Sequence, residues 1–409
     1  MKMLHNIKQF LEDLAEVCQA EWGRIFGNTG VLLIIFVAGV GYPLIFNGIY
    51  TQENLYDVPV AVVDDARCEE SERFIHKMDA TPEIEVRYEA SSMAEAKHLM
   101  ANRKVNGIIH FPSDYGERLA RLETARVGVF CDMSSFLYYK SVFMGANFTM
   151  LDEMKQIEFT RYGLTGITGE QANTLVNPVG YDDVKLFVPG GGFTSFLIPA
   201  LLILVIQQTL FFGVGMLGGA AREEGAELSA VPARLRRRHY DRVVLGRAMA
   251  YTVIYSALVA VDLFLIPRLF NLPHIAQVDQ LALFLLPFLL SVCFLSISCA
   301  SLFRHRESGI ITLVFSSIIL LFLSGFAWPQ SSMPDFWRHF SYLFPSTHAV
   351  QGFVRMNSMG ATLHEVSFEY LMLWALTLVY FVTACLSVGS GVRRCAHRHS
   401  YRRRVHDTV

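Results

Sequence analysis

Residues 301–345 read SLFRHRESGIITLVFSSIILLFLSGFAWPQSSMPDFWRHFSYLFP, and this stretch decides the fold class. Near its start lies a cluster of charged residues at 304–307. An uncharged run follows to Ala327, and the stretch ends in a segment rich in Trp, Tyr and Pro. An uncharged run of about 20 residues can cross the hydrocarbon layer, whereas Trp and Tyr favour the headgroup layer and Pro breaks continuous helix. The stretch therefore predicts a membrane-spanning helix followed by interfacial helical turns.

The composition of the whole chain agrees with this interpretation. Of its 409 residues, 52% are hydrophobic and only 18% are charged, which is typical of a membrane protein. Six segments are long and apolar enough to span a bilayer: 29–50, 193–217, 248–266, 281–303, 309–327 and 370–392. The first lacks a small-residue cleavage site and lies far from the start, so we expect it to remain as an anchor.

The distribution of Lys and Arg predicts the orientation. These residues concentrate in 1–28, 218–247, 304–308 and 391–409, and they are few in the other short loops. Loops rich in Lys and Arg stay in the cytoplasm, so both termini are predicted to be cytoplasmic and residues 51–192 to be translocated. Nucleic-acid binding is not expected, because anionic lipid explains Arg clusters that adjoin membrane helices.

The translocated domain has the pattern of a mixed α/β fold. Its acidic residues outnumber its basic ones, and four short runs rich in β-branched residues predict strands at 58–63, 84–87, 107–111 and 127–131. Helical stretches separate them. One starts at a capping box formed by Ser92 and Glu95, another follows Ser113, and a long one covers 134–162. We expect a small sheet covered by helices.

Three parts of the sequence resemble ABC-2 type transporter permeases. Two are SGFAWPQSSMP at 324–334 and YLFPSTHAVQGFVR at 342–355, which are similar to the signature end of that family through Gly325, Trp328, Pro329, Met333, Pro334, Pro345 and His348. The third part is the ordered series VAVVDD, SMAEAKHLMANRKVNGIIHFPSDYGERL and VGVFCD, which resembles the extracytoplasmic domain of long bacterial members linked to multidrug export.

The resemblance implies an α-helical membrane protein with six transmembrane helices and an inserted α/β extracytoplasmic domain. Its parts would be an amphipathic cytoplasmic elbow helix, the first span, the extracytoplasmic domain, the remaining five spans and a basic cytoplasmic tail, at 1–28, 29–50, 51–192, 193–392 and 393–409. Between the spans lie a cytoplasmic coupling loop at 218–247 and an outer re-entrant or interfacial segment at 328–355.

The coupling loop contains AREEGAELSAVPARLRRRHYDRVVLGRAMAY at 221–251. It is similar to the family outline at Arg222, Glu223, Glu224, Gly225, Leu228 and Pro232, which implies contact with an ATP-binding subunit. A charged helix locked to two membrane helices would act as a lever. The Arg-rich run at 234–238 departs from the outline, and the positive-inside rule is the favoured explanation of it.

The chain contains no sequence for binding ATP. Neither a GxxxxGK[ST] phosphate-binding loop nor a signature like the Leu-Ser-Gly-Gly motif occurs, so ATP and Mg are expected on a separate ATPase chain and no cofactor here. One chain with six transmembrane helices also supplies only half of the permeation path that is usual in this family. The resemblance therefore implies a second permease copy, as a homodimer or heterodimer, and a periplasmic adaptor with an outer-membrane channel is a further candidate partner.

Few polar residues occur within the spans, and these are candidates for the translocation path: Gln207, Gln208, Asp262, Ser316 and Ser317. Asp262 is the foremost of them because an ionisable group in hydrocarbon is costly. The alternative for Asp262 is pairing with Arg268 near the headgroups. The alternative for the two Gln residues is hydrogen bonding between helices.

The seven Cys residues show no metal-binding spacing. Cys68 and Cys131 are both in the translocated domain, so they could form a disulfide if their Cα atoms lie within about 7 Å. No catalytic residue is predicted.

The sequence thus predicts the permease subunit of an ATP-driven exporter in a bacterial inner membrane, moving a small amphipathic or hydrophobic compound or drug outward. One alternative is a membrane-anchored ligand sensor without transport. A proton-driven carrier is disfavoured, because only one acidic residue lies within the spans and no internal repeat is visible.

Overall fold

The computed structural model describes residues 2–179, 184, 186–187, 191–224, 231–236, 239–272, 274–301, 303 and 306–406. The chain divides into two compact units. A helical unit comprises Met1–Thr51 and Phe193–Val409, and an inserted unit comprises Gln52–Gly192. The predicted fold class, a helical membrane protein with an inserted α/β domain, is confirmed.

The chain begins with α1 (Lys2–Phe26), which precedes the first candidate span. That span is α-helical at Thr29–Leu32 (α2), π-helical at Leu33–Gly41 and α-helical again at Tyr42–Ile49 (α3). A π-helix has hydrogen bonds from residue i to i+5, so this span is wider in its middle than at its two ends.

The inserted unit is a four-stranded sheet covered by helices. Its elements are β1 (Val58–Asp64), α4 (Glu69–Asp79), β2 (Ile84–Glu89), α5 (Met93–Ala101), β3 (Gly107–Phe111), α6 (Tyr115–Ala120), β4 (Gly128–Cys131), α7 (Phe136–Leu164) and α8 (Gly169–Val176). The strand order is β2-β1-β3-β4, with β1 parallel to both neighbours and β4 antiparallel to β3. All four strands lie where the sequence predicts them.

Alternate residues of β1 face two separate cores, which is why that strand is apolar throughout. Val58, Val60 and Val62 pack in one core with residues of α4 and α7. Ala61 and Val63 pack in the other core with α5. Side chains alternate between the faces of a strand, so a strand covered on both faces needs an unbroken apolar run.

One buried carboxylate joins α4 to α7. Glu153 is only 1% exposed, and it accepts hydrogen bonds from Arg73 Nε at 3.0 Å and from Lys77 Nζ at 2.8 Å. Burial alone would raise the pKa of Glu153, but the hydrogen bonds and charges of Arg73 and Lys77 lower it below the ordinary value. The group is therefore held ionised between the two helices.

The disulfide considered for Cys68 and Cys131 is not formed, and both are free thiols. Cys131 pairs with Gly107, and Gly107 pairs with Val60 near the start of β1. Cys68, in contrast, follows the end of β1 and stands at the amino terminus of α4. The sheet register thus places the two residues toward opposite ends of β1, about 13 Å of strand apart at about 3.3 Å per residue.

The remaining helices belong to the helical unit. They are α9 (Phe193–Glu223), α10 (Tyr240–Ala260), a π-helical segment (Val261–Leu265), α11 (Ile266–Leu269), α12 (Val278–Ala300), α13 (Arg306–Leu323), α14 (Asp335–Ser341), α15 (Pro345–Met359) and α16 (Ser367–His406), with a 3-10 turn at Gln330–Ser332.

Five stretches of the described residues are long and apolar enough to cross a membrane: Thr29–Ile49, Phe193–Glu223, Tyr240–Leu269, Val278–Ala300 and Ser367–Arg393. The sixth predicted span, at 309–327, falls on α13, whose shorter apolar stretch is Val314–Leu323. The helix ends before Ala327 because the chain turns at Gly325, which has a φ of +79°.

The core of the helical unit lies where α12 packs against α9, α15 and α16. Its largest fully buried side chains are Tyr251, Tyr255, Phe284, Phe288 and Phe353. Gly352 of α15 is packed so closely that an added Cβ would lie 2.2 Å from Cζ of Phe284. Small residues that let helices approach closely are a general source of packing energy in membranes.

Candidate coupling site and groove

Helix α1 lies along α10 and is held there on its apolar face. Val17 is 1% exposed, and Trp22 donates a hydrogen bond from Nε1 to the carbonyl oxygen of Ala250 at 3.0 Å. Gly246 permits the close approach, because a Cβ at that position would stand 2.7 Å from Cβ of Val17. Gly246 therefore has a packing role.

A group of ion pairs, which we name the elbow cluster, joins α1 to the loop before α10 and to α10 itself. Its acidic members lie on α1 and its basic members on the loop and α10: Asp13, Glu16, Glu21, Arg234, Arg242 and Arg247. Asp13 is 1% exposed and bridges two arginines, Arg234 at 2.9 Å and Arg242. Glu16 pairs with Arg234 as well.

Glu21 is the second buried acid of the elbow cluster. Arg24 donates a hydrogen bond to its Oε2 at 2.9 Å, Tyr251 donates to its Oε1 at 3.1 Å, and Arg247 Nε stands 3.5 Å from Oε2. Burial alone would raise the pKa of Glu21, but the charges of Arg247 and Arg24, with the hydrogen bonds from Tyr251 and Arg24, lower it below the ordinary value. Glu21 is therefore ionised, and it places a negative charge between α1 and α10.

The loop itself is anchored at both of its described ends. Arg222 donates a hydrogen bond to the carbonyl oxygen of Phe303, which joins the end of α9 to the chain that follows α12. At the other end, Val231 and Leu235 are buried in an apolar cluster with Val17 and Val243. Motion of this loop would therefore be passed to α1, α9 and α10 together.

The predicted coupling residues lie at the two ends of that loop. Arg222 and Glu223 complete α9, Glu224 follows them, and the carbonyl oxygen of Pro232 accepts a hydrogen bond from Leu235 N at 2.9 Å. Gly225 and Leu228 lie outside the described residues.

The acidic residues of the elbow cluster were missing from the predicted site. The sequence predicts an amphipathic elbow helix at 1–28 and explains the Arg-rich run at 234–238 by the positive-inside rule, and neither prediction pairs the two segments. The structure pairs Asp13 and Glu16 with Arg234, so this arginine has a partner within the protein. The signal present in the sequence was the complementary charge of the two segments.

A groove of about 510 Å³ runs between the first span, α9 and α13. Its lining is almost wholly apolar, with Ile34, Tyr42, Leu204, Phe212, Val314 and Ile318 among its residues. Two predicted path residues, Gln208 and Ser317, meet in this lining, and Thr209 adds a hydroxyl group. Gln208 Nε2 is buried without a hydrogen-bond partner among the described residues.

The other predicted path residues lie elsewhere. Gln207 Nε2 donates a hydrogen bond to Ser346 Oγ of α15 at 3.0 Å, so Gln207 joins two helices as the alternative proposed. Ser316 lies beside Ser317 on α13 but does not line the groove. Asp262 is 1% exposed within the second π-helical segment, and no described ion pair joins it to Arg268.

The interfacial motif folds as a turn over α15. Gln351 Nε2 donates a hydrogen bond to the Ser324 carbonyl oxygen at 3.0 Å, and Trp328 Nε1 donates to that of Ser332 at 3.3 Å. Pro345 occupies the first turn of α15, and His348 Nε2 lies 3.1 Å from the Tyr342 carbonyl oxygen. Pro329 precedes the 3-10 turn, and Met333 and Pro334 link it to α14. These contacts give the motif a structural role.

Comparison with known proteins identifies the family. A family model described as ABC-2 family transporter protein matches residues 29–386, which is most of the chain. Searches of curated proteins and of solved structures gave no significant match. The matched region includes the inserted unit and the helices from α9 to the first half of α16, so the protein is a multi-pass membrane permease component, and membership of this family implies an ATPase partner. The chain belongs to the ABC-2 family of transporter proteins.

Proposed function

We propose that this protein is the permease subunit of an ATP-driven exporter that moves small amphipathic or hydrophobic compounds, drugs among them, out of a bacterial cell. It resides in the inner membrane with both termini in the cytoplasm and acts with a second permease copy. ATP and Mg bind to a separate ATPase subunit. The inserted unit then lies outside the membrane, where an adaptor that leads to an outer-membrane channel is a candidate partner.

The observation that carries this proposal is the elbow cluster. Two nearly fully buried acids, Asp13 and Glu21, connect α1 to arginines of the loop and α10, while Arg222 connects the same loop to the end of α12. Breaking a buried ion pair by displacing one partner is costly, so these parts move as one body. An ATPase that pushes residues 222–236 or α1 would tilt the spans attached to them.

The groove supports an apolar cargo. Its walls are apolar, and Gln208, Thr209 and Ser317 offer a few polar groups to a bound molecule. Small-molecule sites usually combine apolar walls with a small number of polar groups. The groove is formed by α9, the helix that ends at Glu223, so a tilt of α9 would change its shape.

The test is reconstitution of the chain in vesicles with the ATPase that co-purifies with it. ATP should drive accumulation of hydrophobic fluorescent dyes, and the joint substitution Glu223→Ala and Glu224→Ala should lower permease-dependent ATP hydrolysis by about ten-fold. Glu12→Ala is the matched control, since Glu12 is exposed on α1 and its ion pair with Lys8, at 4.0 Å, is exposed as well. Uphill dye movement by the chain without an ATPase would refute the proposal.

Orientation needs its own test. Single cysteines placed at Glu12 and at Glu117 in a variant lacking the natural cysteines should react with a membrane-impermeant maleimide from opposite sides of the membrane. Labelling of both from the same side would contradict the proposed topology.

A further inference from the structure

Helix α7 of the inserted unit carries an apolar stripe on a side that does not pack on the sheet. Its members follow one another at spacings of seven or four residues, and each is between 38% and 62% exposed: Phe136, Phe143, Met150 and Met154. Other residues form the buried side of the helix, among them Val142 and Ala146. We name the exposed stripe the α7 seam. Large apolar side chains grouped on a surface mark a contact with another molecule.

Two opposite charges lie at the ends of the central part of this seam. No charged residue occurs from 141 to 151. Lys140 precedes that stretch, and Glu158, which is exposed, follows it. The two residues are 18 positions apart, which is five full turns, so they lie on the same side of α7 about 27 Å from each other. Lys140 Nζ donates one hydrogen bond to the carbonyl oxygen of Gly191 at 2.8 Å, and an ammonium group has two further donors.

These charges distinguish the ways in which a second α7 could lie on the seam. In a parallel pair, Lys140 would face Lys140 and Glu158 would face Glu158, and like charges repel. In an antiparallel pair with a two-fold axis near residue 149, Lys140 of each helix lies opposite Glu158 of the other. The same alignment brings Phe143 of one helix near Met154 of the other. The seam is therefore complementary to itself in one orientation only.

Other occupants of the seam match these features less well. An anionic lipid surface attracts Lys and Arg, whereas Glu158 adjoins the seam and would be repelled by such a surface. A different protein would have to carry an acidic and a basic side chain at the same spacing of about 27 Å along an apolar helix. A second copy of this chain meets that requirement without any further condition.

We infer that the α7 seam binds the α7 seam of a second copy of this chain, antiparallel to it about a two-fold axis near residue 149. The inference rests on the proposed function for the presence of a second copy, and it names the surface through which the two inserted units meet. Four apolar side chains give less contact than the about 800 Å² per partner that is usual in stable complexes. Spans held in one membrane raise the effective concentration of the two units, so a small contact is sufficient.

The experiment measures disulfide cross-linking of the full chain in nanodiscs that can hold two copies, in a variant that lacks the natural cysteines. Met150 lies near the inferred axis, so Met150→Cys should form a linked dimer on mild oxidation about ten-fold faster than Phe148→Cys. Phe148 is the matched control, because it is exposed on the same turn of α7 but points about 160° away from Met150.

Charge reversal tests the orientation. Glu158→Lys places like charges opposite each other at both ends of the seam, so it should lower the cross-linking rate of Met150→Cys about three-fold or more. The double reversal of Lys140→Glu with Glu158→Lys should restore the rate. If the variant without natural cysteines does not fold, a photo-reactive amino acid at position 150 or 148 of the natural chain gives the same comparison.

Native mass spectrometry of the nanodiscs reports how many copies each one holds. Two copies that cross-link equally through positions 150 and 148, or that do not respond to charge reversal, overturn the inferred seam and leave the second copy of the proposed function standing. A single copy in nanodiscs that bind the ATPase and hydrolyse ATP overturns both.

Discussion

Two acidic side chains, Glu153 in the inserted unit and Asp13 in α1, are each almost fully buried and each bound by two basic side chains. Such an arrangement makes the carboxylate the common member of both pairs. Replacing one base leaves the acid with the other base, whereas replacing the acid leaves two cations without a counter-charge. The acids are therefore the residues whose substitution reports most clearly on each unit.

Glu153→Gln should destabilise the inserted unit by about 2 kcal/mol. A fully buried pair costs about 3–5 kcal/mol to break, but Arg73 is 42% exposed and water screens it. Faster amide hydrogen exchange in α4 and α7 of the full chain at neutral pH measures the effect. Glu85→Gln, which removes an exposed partner of Arg87, is the control and should change exchange little. Equal protection in both variants would contradict the prediction.

The same carboxylate predicts a pH dependence. Its pKa is lower in the folded chain than the unfolded value of 4.5, so between those two values the folded state binds fewer protons. Its stabilising contribution is therefore complete above about pH 4.5 and is lost as the pH falls through the folded pKa. The difference in unfolding temperature between the natural chain and Glu153→Gln, measured by circular dichroism, should be constant from about pH 6 to 7 and shrink in acid.

Among the elements, α1 has the clearest functional prediction. Asp13→Asn should free the amino-terminal part of α1 from α10, because Arg234 and Arg242 lose their shared partner. Under the proposed function, ATP hydrolysis continues while dye transported per ATP falls several-fold. Hydrogen exchange in α1 reports the release independently of transport. Glu12→Gln is the matched control on the exposed face, and equal coupling ratios in the two variants would refute the lever.

Close packing of α15 against α12 gives a prediction on stability. Gly352→Ala should destabilise the helical unit by about 1–3 kcal/mol, since the new Cβ would overlap the ring of Phe284. Gly48→Ala in α3 meets nothing within 4 Å and should be neutral or stabilising by up to about 1 kcal/mol. Trp fluorescence during thermal unfolding distinguishes the two, and destabilisation by both variants would contradict the packing explanation.

The elements themselves were largely predictable from the sequence. Strands such as β1 carry continuous β-branched runs, and the spans carry long apolar runs, so local patterns locate both. The predicted sixth span extended to Ala327 because hydropathy alone does not register the backbone turn at Gly325. The two π-helical segments also leave no apolar signature. Contacts between distant segments, such as Asp13 with Arg242, depend on the packing of α1 against α10 and were not predictable from either segment alone.

At the scale of the whole molecule, α9 connects the groove to the start of the coupling loop. The groove lies along its middle at Leu204 and Gln208, and its end at Arg222 is joined to the chain after α12. The sequence placed Gln208 and Ser317 among the path candidates but did not separate them from Gln207 and Asp262. To tell these residues apart, one must know how each helix is rotated about its own axis, because that rotation decides which side chains face the groove. Packing against neighbouring helices sets the rotation.

Filling the groove gives the last prediction. Ser317→Phe should reduce dye transport at least several-fold, because the new ring occupies space lined by Gln208 and Phe212. ATP hydrolysis by the co-reconstituted ATPase should persist. Ile319→Phe places the same ring on an exposed face of α13 outside the lining, and it should transport normally. Full transport by Ser317→Phe would exclude the groove as the route.

The π-helical segment of the first span also affects the groove. Tyr42 lines the groove and stands directly after the π-helical residues Leu33–Gly41. Conversion of part of that stretch to α-helical hydrogen bonding would rotate the helical residues that follow it about the helix axis, by about 100° for each residue by which the hydrogen bonding shifts. Little net loss of backbone hydrogen bonds would accompany this rotation. Tyr42 would then point away from the groove. Deleting Val37 should hold Tyr42 in that rotated position, and the measurement is loss of a cross-link between cysteines placed at positions 42 and 208.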